Sequence, residues 1–244
     1  MYKILEKTQF SEKVFKFRIE APQMAKHAHA GQFLMVRANE CGERVPFTFA
    51  DWNPEEGWVE FIFMVIGKTT RMLSTYEVGD FLQDVTGPLG EPTEMGEGKW
   101  AVIGGGVGLA IAFPVARQLV AAGREVHAIM GARTKELLLL EDQFRSILDD
   151  DHIHITTDDG SLGEKGVVTA PLERLLQDKQ VDRVFCVGPV PMMKFSTLTA
   201  EKYDTPIIAS LNPIMVDGTG MCGCCRVEVG GETKFACVDG PDFD

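Results

Sequence analysis

Trp100-Ala101-Val102-Ile103-Gly104-Gly105-Gly106-Val107-Gly108-Leu109 is the stretch that decides the fold. A short apolar run ends in glycines, and a helical pattern from Leu109 to Ala122 follows, closed by Gly123. An apolar run bounded by glycine reads as a buried strand, and a glycine after a periodic segment marks a helix stop. Glycines at a strand-to-helix turn let the backbone approach a pyrophosphate, and the new helix offers free N–H groups. The same turn also serves helix–strand packing alone, and both readings stand at this point. The spacing is not G-x-G-x-x-G, and no Walker lysine–serine pair follows, which argues against an ATPase.

Downstream, strand patterns fall at Glu125–Met130, His152–Thr156, Val184–Val187 and Pro206–Ala209. Helical patterns fall between them at Glu136–Leu148, Ala170–Asp178 and Met192–Lys202. Strand–helix alternation predicts a parallel, doubly wound α/β domain over residues 98–209. Its five-membered histidine complement (His127, His152 and His154 here; His27 and His29 upstream) shows no metal-ligand spacing, so these read as surface or strand residues. Cys41 and Cys186 are isolated and read as structural.

Upstream, residues 1–97 read as all-β. Val14–Ile19, Gln32–Val36 and Trp58–Phe63 alternate, with turns at Ala21-Pro22, Cys41-Gly42 and Asn53–Gly57. Many short strands at this spacing predict a small antiparallel barrel, joined to the α/β domain by a linker over 91–98. Arg44-Val45-Pro46-Phe47-Thr48 lies on one of its strands. An arginine fork can hold a pyrophosphate, an aromatic can stack on a flat ring, and a hydroxyl can reach a ring nitrogen. An edge strand with an exposed arginine is the plainer reading. Gly67-Lys68-Thr69-Thr70-Arg71 is an anion nest or an ordinary turn before a helix over Met72–Tyr76. Gly87-Pro88-Leu89-Gly90 is a rigid turn just before the second domain.

At the other end, Asp217-Gly218-Thr219-Gly220-Met221-Cys222-Gly223-Cys224-Cys225, followed by Cys237, places four of the six cysteines within sixteen residues. Such a glycine-rich segment cannot be a hydrophobic core, so crowded sulfurs mean a metal or a disulfide. No secretory pattern heads the chain and no apolar run reaches membrane-spanning length, so a cytoplasmic address with reduced thiols is expected. Metal ligation then outranks disulfides in a third module, residues 210–244. A structural zinc on Cys222, Cys224, Cys225 and Cys237 is one form of it, strained by the adjacency of Cys224 and Cys225. Among 244 residues, 45% are hydrophobic and 25% charged, an ordinary globular balance. The net charge of −12 argues against nucleic acid or an anionic membrane as partner.

Taken in order, Arg44…Phe47-Thr48, Gly67…Thr70, Gly87–Gly90, Gly104–Gly108, Gly131-Ala132-Arg133 and Val187-Gly188-Pro189…Met193 resemble the ferredoxin reductase-like flavoprotein family. With the C-terminal cysteines, the chain is similar to the electron-transfer subunits related to dihydroorotate dehydrogenase B. The resemblance implies FAD in the barrel, with Arg44 and Thr70 near its phosphates, Phe47 against the isoalloxazine and Thr48 near its reactive edge. Pro46, Ile66, Gly67 and Thr69 complete that implied site. It further implies NAD(H) on Gly105, Gly106 and Gly108, lined on the far side by Arg133, Gly188 and Met193. A 2Fe-2S cluster is implied on Asp217, Cys222, Cys225 and Cys237, with Cys224 in a glycine's place. Two departures stand out. Val45 separates Arg44 from the proline, and Asp217 stands where orotate-pathway relatives carry cysteine. The implied partner is a larger oxidoreductase subunit carrying FAD and 4Fe-4S clusters.

Overall fold

Alternation of aromatic and charged residues dictates the N-terminal architecture. In the computed structural model, which describes residues 1–244, seven strands form one antiparallel sheet: β1 (Tyr2–Ser11), β2 (Val14–Glu20), β3 (Phe33–Arg37), β4 (Arg44–Asn53), β5 (Trp58–Met64), β6 (Phe81–Leu82) and β7 (Asp84–Leu89). Their order, β6-β1-β2-β5-β4-β3-β7, puts two strands separated only by Gln83 at opposite edges. The sheet therefore curls back on itself into a near-closed barrel. Phe15, Phe17 and Ile19 of β2 point inward to meet Phe49, Phe61 and Phe63, while Lys16 and Arg18 point out. Each phenylalanine so buried contributes about 2–3 kcal/mol.

Two short helices interrupt the strands. The turn expected at Ala21-Pro22 continues into α1 (Pro22–Ala25), because a proline at the first helical position presets φ for a turn of helix. The helix α2 (Lys68–Ser74) starts and ends earlier than Met72–Tyr76. Thr70 Oγ1 accepts hydrogen bonds from the Ile66 and Gly67 N–H groups, both at 3.0 Å, and so caps it from within.

In the second unit, six strands run parallel: β8 (Trp100–Gly105), β9 (Val126–Ala132), β10 (Ile153–Thr157), β11 (Glu164–Lys165), β12 (Arg183–Val187) and β13 (Ile207–Ser210). Their order, β11-β10-β9-β8-β12-β13, reverses direction between β8 and β12. In open parallel sheets that reversal opens a crevice beyond the carboxyl ends of the two strands. The connecting helices are α3 (Leu109–Ala121), α4 (Glu141–Ile147), α5 (Thr169–Gln177) and α6 (Val190–Glu201).

One helix is shorter than its pattern. Over 136–148, a single 3-10 turn at Lys135–Leu137 gives way to non-helical residues, and Leu140 adopts φ +61° before α4 begins. Four consecutive leucines cannot all face one side of a helix. Leaving helical geometry lets Leu139 and Leu140 both become buried.

Three of the histidines, without metal-ligand spacing in the sequence, meet in the structure. The β9–β10 register begins with Ile153 opposite Ala128, so His152, the last residue of the 3-10 turn before β10, comes to rest 4.6 Å from His127 between ring centroids, and His154 lies on β10 beside His127. His127 Nδ1 lies 3.2 Å from His154 Nε2. Burial lowers the pKa of His127 and pushes that of His154 down to about 4, so both imidazoles are neutral at physiological pH.

The last segment carries a hairpin of β14 (Arg226–Val229) and β15 (Glu232–Phe235), turned by Gly230 and Gly231 at φ +58° and +81°. By packing, Leu211–Asp242 belongs to one compact unit with Met1–Thr93, and Glu94–Ser210 forms the other with the last two residues. No helix is long and apolar enough to cross a membrane.

Candidate cofactor sites

The cysteine segment folds as a glycine-hinged loop. Gly218, Gly220 and Gly223 all take positive φ, +77°, +83° and +68°, a region that excludes most other residues. The turns set four potential ligand donors in two pairs. Asp217 Oδ1 lies 3.4 Å from Cys222 Sγ, and Cys225 Sγ lies 3.2 Å from Cys237 Sγ. Backbone N–H groups point at the donors: Thr219 and Cys222 donate to the Asp217 carboxylate at 3.0 and 2.9 Å, and Gly220 donates to Cys237 Sγ at 3.1 Å. The first of these amides, from Thr219, leads in holding the Asp217 carboxyl below its usual range. Burial, reinforced by Cys225, pushes the Cys237 thiol up to about 12. Cys225 Sγ and Cys237 Sγ share a proton as neutral thiols, and two sulfurs this close would both ionise only with a cation beside them, so the pair suits a metal that replaces those protons. Cys225 and Cys237 are buried, whereas Cys222 and Cys224 are exposed. Cys224 lies beside Cys222, whose hydrogen bond raises its pKa.

At the crevice of the parallel sheet, two glycine turns interlock. A β-carbon on Gly108 would lie 2.6 Å from the Val187 carbonyl oxygen, and one on Gly105 would lie 2.4 Å from Met192 Sδ. Gly188, at φ +155°, has Met192 Cε 2.6 Å from where its β-carbon would be. Gly106 differs: it takes φ +57° and faces open space. Thus Gly105 and Gly108 are glycine for close packing, and Gly106 is the one that leaves room beside the chain. Gly188 sits with them. Met193 is buried in the first turn of α6, with its N–H bonded to the Pro189 carbonyl at 3.1 Å. The neighbouring Met192 is the side chain over the glycines, a residue that pattern reading passed over as helix-start packing. Side-chain order at a helix start depends on the capping turn, which hydrophobicity alone does not specify.

Arg133 is exposed just past β9. Its carbonyl accepts the Asp159 N–H at 3.3 Å, and Lys135 N–H donates to Ser161 Oγ at 2.8 Å. These bonds lace the β9 and β10 exits into one rim bearing Glu136 and Asp159.

On the barrel, Arg44 is exposed at the start of β4 and is tied to β7: its guanidinium contacts Asp84 Oδ2 at 2.6 Å and Thr86 Oγ1 at 3.1 Å. Phe47 is half-buried, stacked on Phe61 at 5.0 Å with 10° between ring planes. Pro46 and Thr48 alternate with it, both half-buried. Ile66 is 73% exposed beside Gly67, while Thr69 and Thr70 are buried.

A barrel, a crevice-bearing parallel sheet and a cysteine loop with paired donors together fit a flavin- and pyridine-nucleotide-dependent oxidoreductase with an iron–sulfur module. Family models agree along the chain: an oxidoreductase FAD-binding domain matches residues 1–93, an oxidoreductase NAD-binding domain residues 102–197, and the iron–sulfur cluster binding domain of dihydroorotate dehydrogenase B residues 212–244. The chain is 49% identical to a dihydroorotate dehydrogenase B (NAD(+)) electron transfer subunit homolog from Thermotoga maritima, over 98% of this chain and 84% of that one. It is 30% identical to the corresponding electron transfer subunit of Streptococcus mutans, over 99% and 94%. A solved structure of the NADH-dependent reduced ferredoxin-NADP oxidoreductase, described for flavin-based electron bifurcation, superposes with a TM-score of 0.91 at 48% identity, covering all of this chain and 87% of that one. The cytochrome b5 reductase domain of Ulva prolifera nitrate reductase, at 22% identity and a TM-score of 0.66, shares the fold alone. This chain belongs to the family of dihydroorotate dehydrogenase B electron transfer subunits and their homologues.

Proposed function

We propose that the chain is the electron-transfer subunit of an NADH-dependent reduced ferredoxin–NADP oxidoreductase, working beside a larger FAD and 4Fe-4S subunit in the cytoplasm. The observation that supports this reading is the paired donor set, with Asp217 Oδ1 next to Cys222 Sγ and Cys225 Sγ beside Cys237 Sγ. The proposed domain limits are 1–97 for FAD, 98–209 for NAD(H) and 210–244 for a 2Fe-2S cluster. When bound, these groups supply hydride exchange between nicotinamide and flavin and one-electron exchange between flavin and cluster.

The chain's own residues bind and orient. Arg44 is proposed to turn its fork from Asp84 toward the flavin's phosphates, and Thr70 to stiffen the Ile66–Thr70 turn against them. Pro46, Phe47, Thr48, Gly67 and Thr69 form the remaining flavin surface. Gly105, Gly106, Gly108 and Gly188 admit the nucleotide backbone, with Arg133 at the rim and Met193 supporting from beneath. Asp217, Cys222, Cys225 and Cys237 hold the cluster. A carboxylate and a thiolate each bring one negative charge, so Asp217 leaves the total charge at the cluster unchanged while hardening one ligand.

Exposed apolar side chains around the cluster loop, Ile214, Val216, Met221 and Val238, support a protein partner there. Met221 alone is 89% exposed. A second reading, the electron-transfer partner of a dihydroorotate dehydrogenase, is favoured by the names of the similar chains and opposed by the aspartate at 217; a sulfide or polysulfide reductase subunit is the remaining alternative.

Anaerobic purification with metal, sulfide and flavin analysis tests the reading. One FAD with two irons and two acid-labile sulfides, and bleaching of the flavin by NADH, is the expected outcome. Zinc without iron or FAD contradicts it, and co-purification with an orotate-forming subunit favours the second reading.

A further inference from the structure

At the opposite, N-terminal edge of the parallel sheet lies a cluster that neither nucleotide nor iron–sulfur chemistry uses. Glu125, His127 and His152 each offer a ligand atom, and these atoms all lie within 4.8 Å of one another. The cause is strand geometry. Glu125 stands immediately before β9 and His127 is its second residue; His152 closes the 3-10 turn that leads into β10 and His154 is the second residue of β10, so the parallel pairing of the two strands brings these residues together at their starts. His127 and His152 ring centroids are 4.6 Å apart, and those of His127 and His154 are 5.4 Å apart.

The hydrogen bonds restrict what the cluster can be. His127 Nδ1 and His154 Nε2 are 3.2 Å apart, so one of two neutral rings must donate to the other. His127 Nε2 faces the Glu125 carboxylate at 3.7 Å; when His127 accepts from His154 it carries a proton there, and when it donates from Nδ1 a metal ion can take that proton's place. His154 then serves as the partner that fixes a metal-binding histidine's tautomer. Lys99 also pairs with Glu125, at 3.1 Å, and is the internal cation that a metal ion has to displace or share.

We propose that Glu125, His127 and His152 form a binding site for a borderline divalent transition-metal ion, Zn2+ foremost, with His154 orienting His127. Two imidazoles and one carboxylate with a fourth position left to water are a donor set suited to such ions. Donors around tetrahedral zinc lie about 3.4 Å apart at bonds of about 2.0–2.1 Å. Glu125 is exposed and His152 half-buried, so both can make the adjustment, of about an ångström, from the 4.8 Å limit. His127 is four residues from Gly131, about 13 Å along β9 from the nucleotide end. The bound ion therefore staples β9 to β10 and takes no part in electron transfer.

Calorimetric titration of the flavin- and cluster-loaded chain with Zn2+, followed by X-ray absorption at the zinc edge, tests this. The expected result is about one equivalent bound with a nitrogen and oxygen shell and no sulfur. Affinity should fall at least about tenfold in His152→Gln and in Glu125→Gln, while iron and flavin content stay at wild-type levels. Glu125→Gln changes an exposed residue and keeps the test open should His152→Gln fold poorly. No binding at micromolar Zn2+, a sulfur-containing shell, or an affinity unchanged in both variants overturns the proposal.

Discussion

Gly218 lies so close to Met35 that a β-carbon at position 218 would be 2.9 Å from the methionine Cγ, and it would also be 3.0 Å from Leu89 Cδ1. The loop that begins at Asp217 is thereby seated on strands β3 and β7 of the barrel, within one compact unit. The cysteine segment is thus part of the barrel's packing, not an appended tail. Gly218→Ala should cost about 1–3 kcal/mol from its left-handed φ and the collision combined, and should lower cluster occupancy. Gly230→Ala, also at positive φ but facing open space, should cost about 1–2 kcal/mol and keep the cluster. Thermal unfolding and iron content of the two variants check the contrast; equal iron loss in both would mean that the seat on Met35 is irrelevant.

The Gly105–Met192 contact predicts a rescue. Gly105 has φ −123°, so alanine there strains no backbone, and its cost comes from meeting Met192 Sδ. Gly105→Ala should therefore destabilise by about 1–2 kcal/mol, and Met192→Ala in the same chain should recover about half of it or more. A double-mutant cycle from denaturant unfolding measures the coupling; strict additivity refutes the assigned contact.

For Arg44, the ion pair with Asp84 competes with the proposed phosphate role. If the guanidinium serves the flavin, Arg44→Ala should weaken FAD binding about tenfold or more, the loss of a charged hydrogen bond. Asp84→Asn, which releases the arginine, should leave FAD affinity the same or tighter. Flavin fluorescence titration separates this from a purely structural pair, for which both variants weaken binding alike.

Cysteine reactivity should split by site. Burial pushes the Cys186 thiol up to about 12, and its side chain is fully covered. At pH 8 roughly one thiol in ten thousand is ionised there, so it should resist alkylation until the chain unfolds. Exposed Cys41 and Cys224 should be labelled in the cluster-loaded protein, and Cys222, Cys225 and Cys237 protected. Peptide mapping by mass spectrometry reads this directly; protection of Cys224 together with labelling of Cys222 contradicts the ligand set.

What the chain disclosed in advance follows the range of each force. The strand–glycine–helix transition at Trp100–Leu109 is written in consecutive residues, as is the alternation of Phe15, Lys16, Phe17 and Arg18, and both produced the expected elements. Residues 137–140 defeated periodicity because burying successive leucines outweighed helical geometry. The contact of Met192 with Gly105 and Gly188 depended on a capping turn. The histidine cluster was invisible as spacing because its members are 25 and 27 residues apart and meet only through strand register.

The central claim, that Asp217 and three cysteines hold the metal centre, is tested most directly by iron and acid-labile sulfide analysis of two anaerobically prepared variants, Asp217→Ala and Cys224→Ser. The account predicts that Cys224→Ser keeps its iron and sulfide while Asp217→Ala loses them. Retention in Asp217→Ala with loss in Cys224→Ser would contradict it.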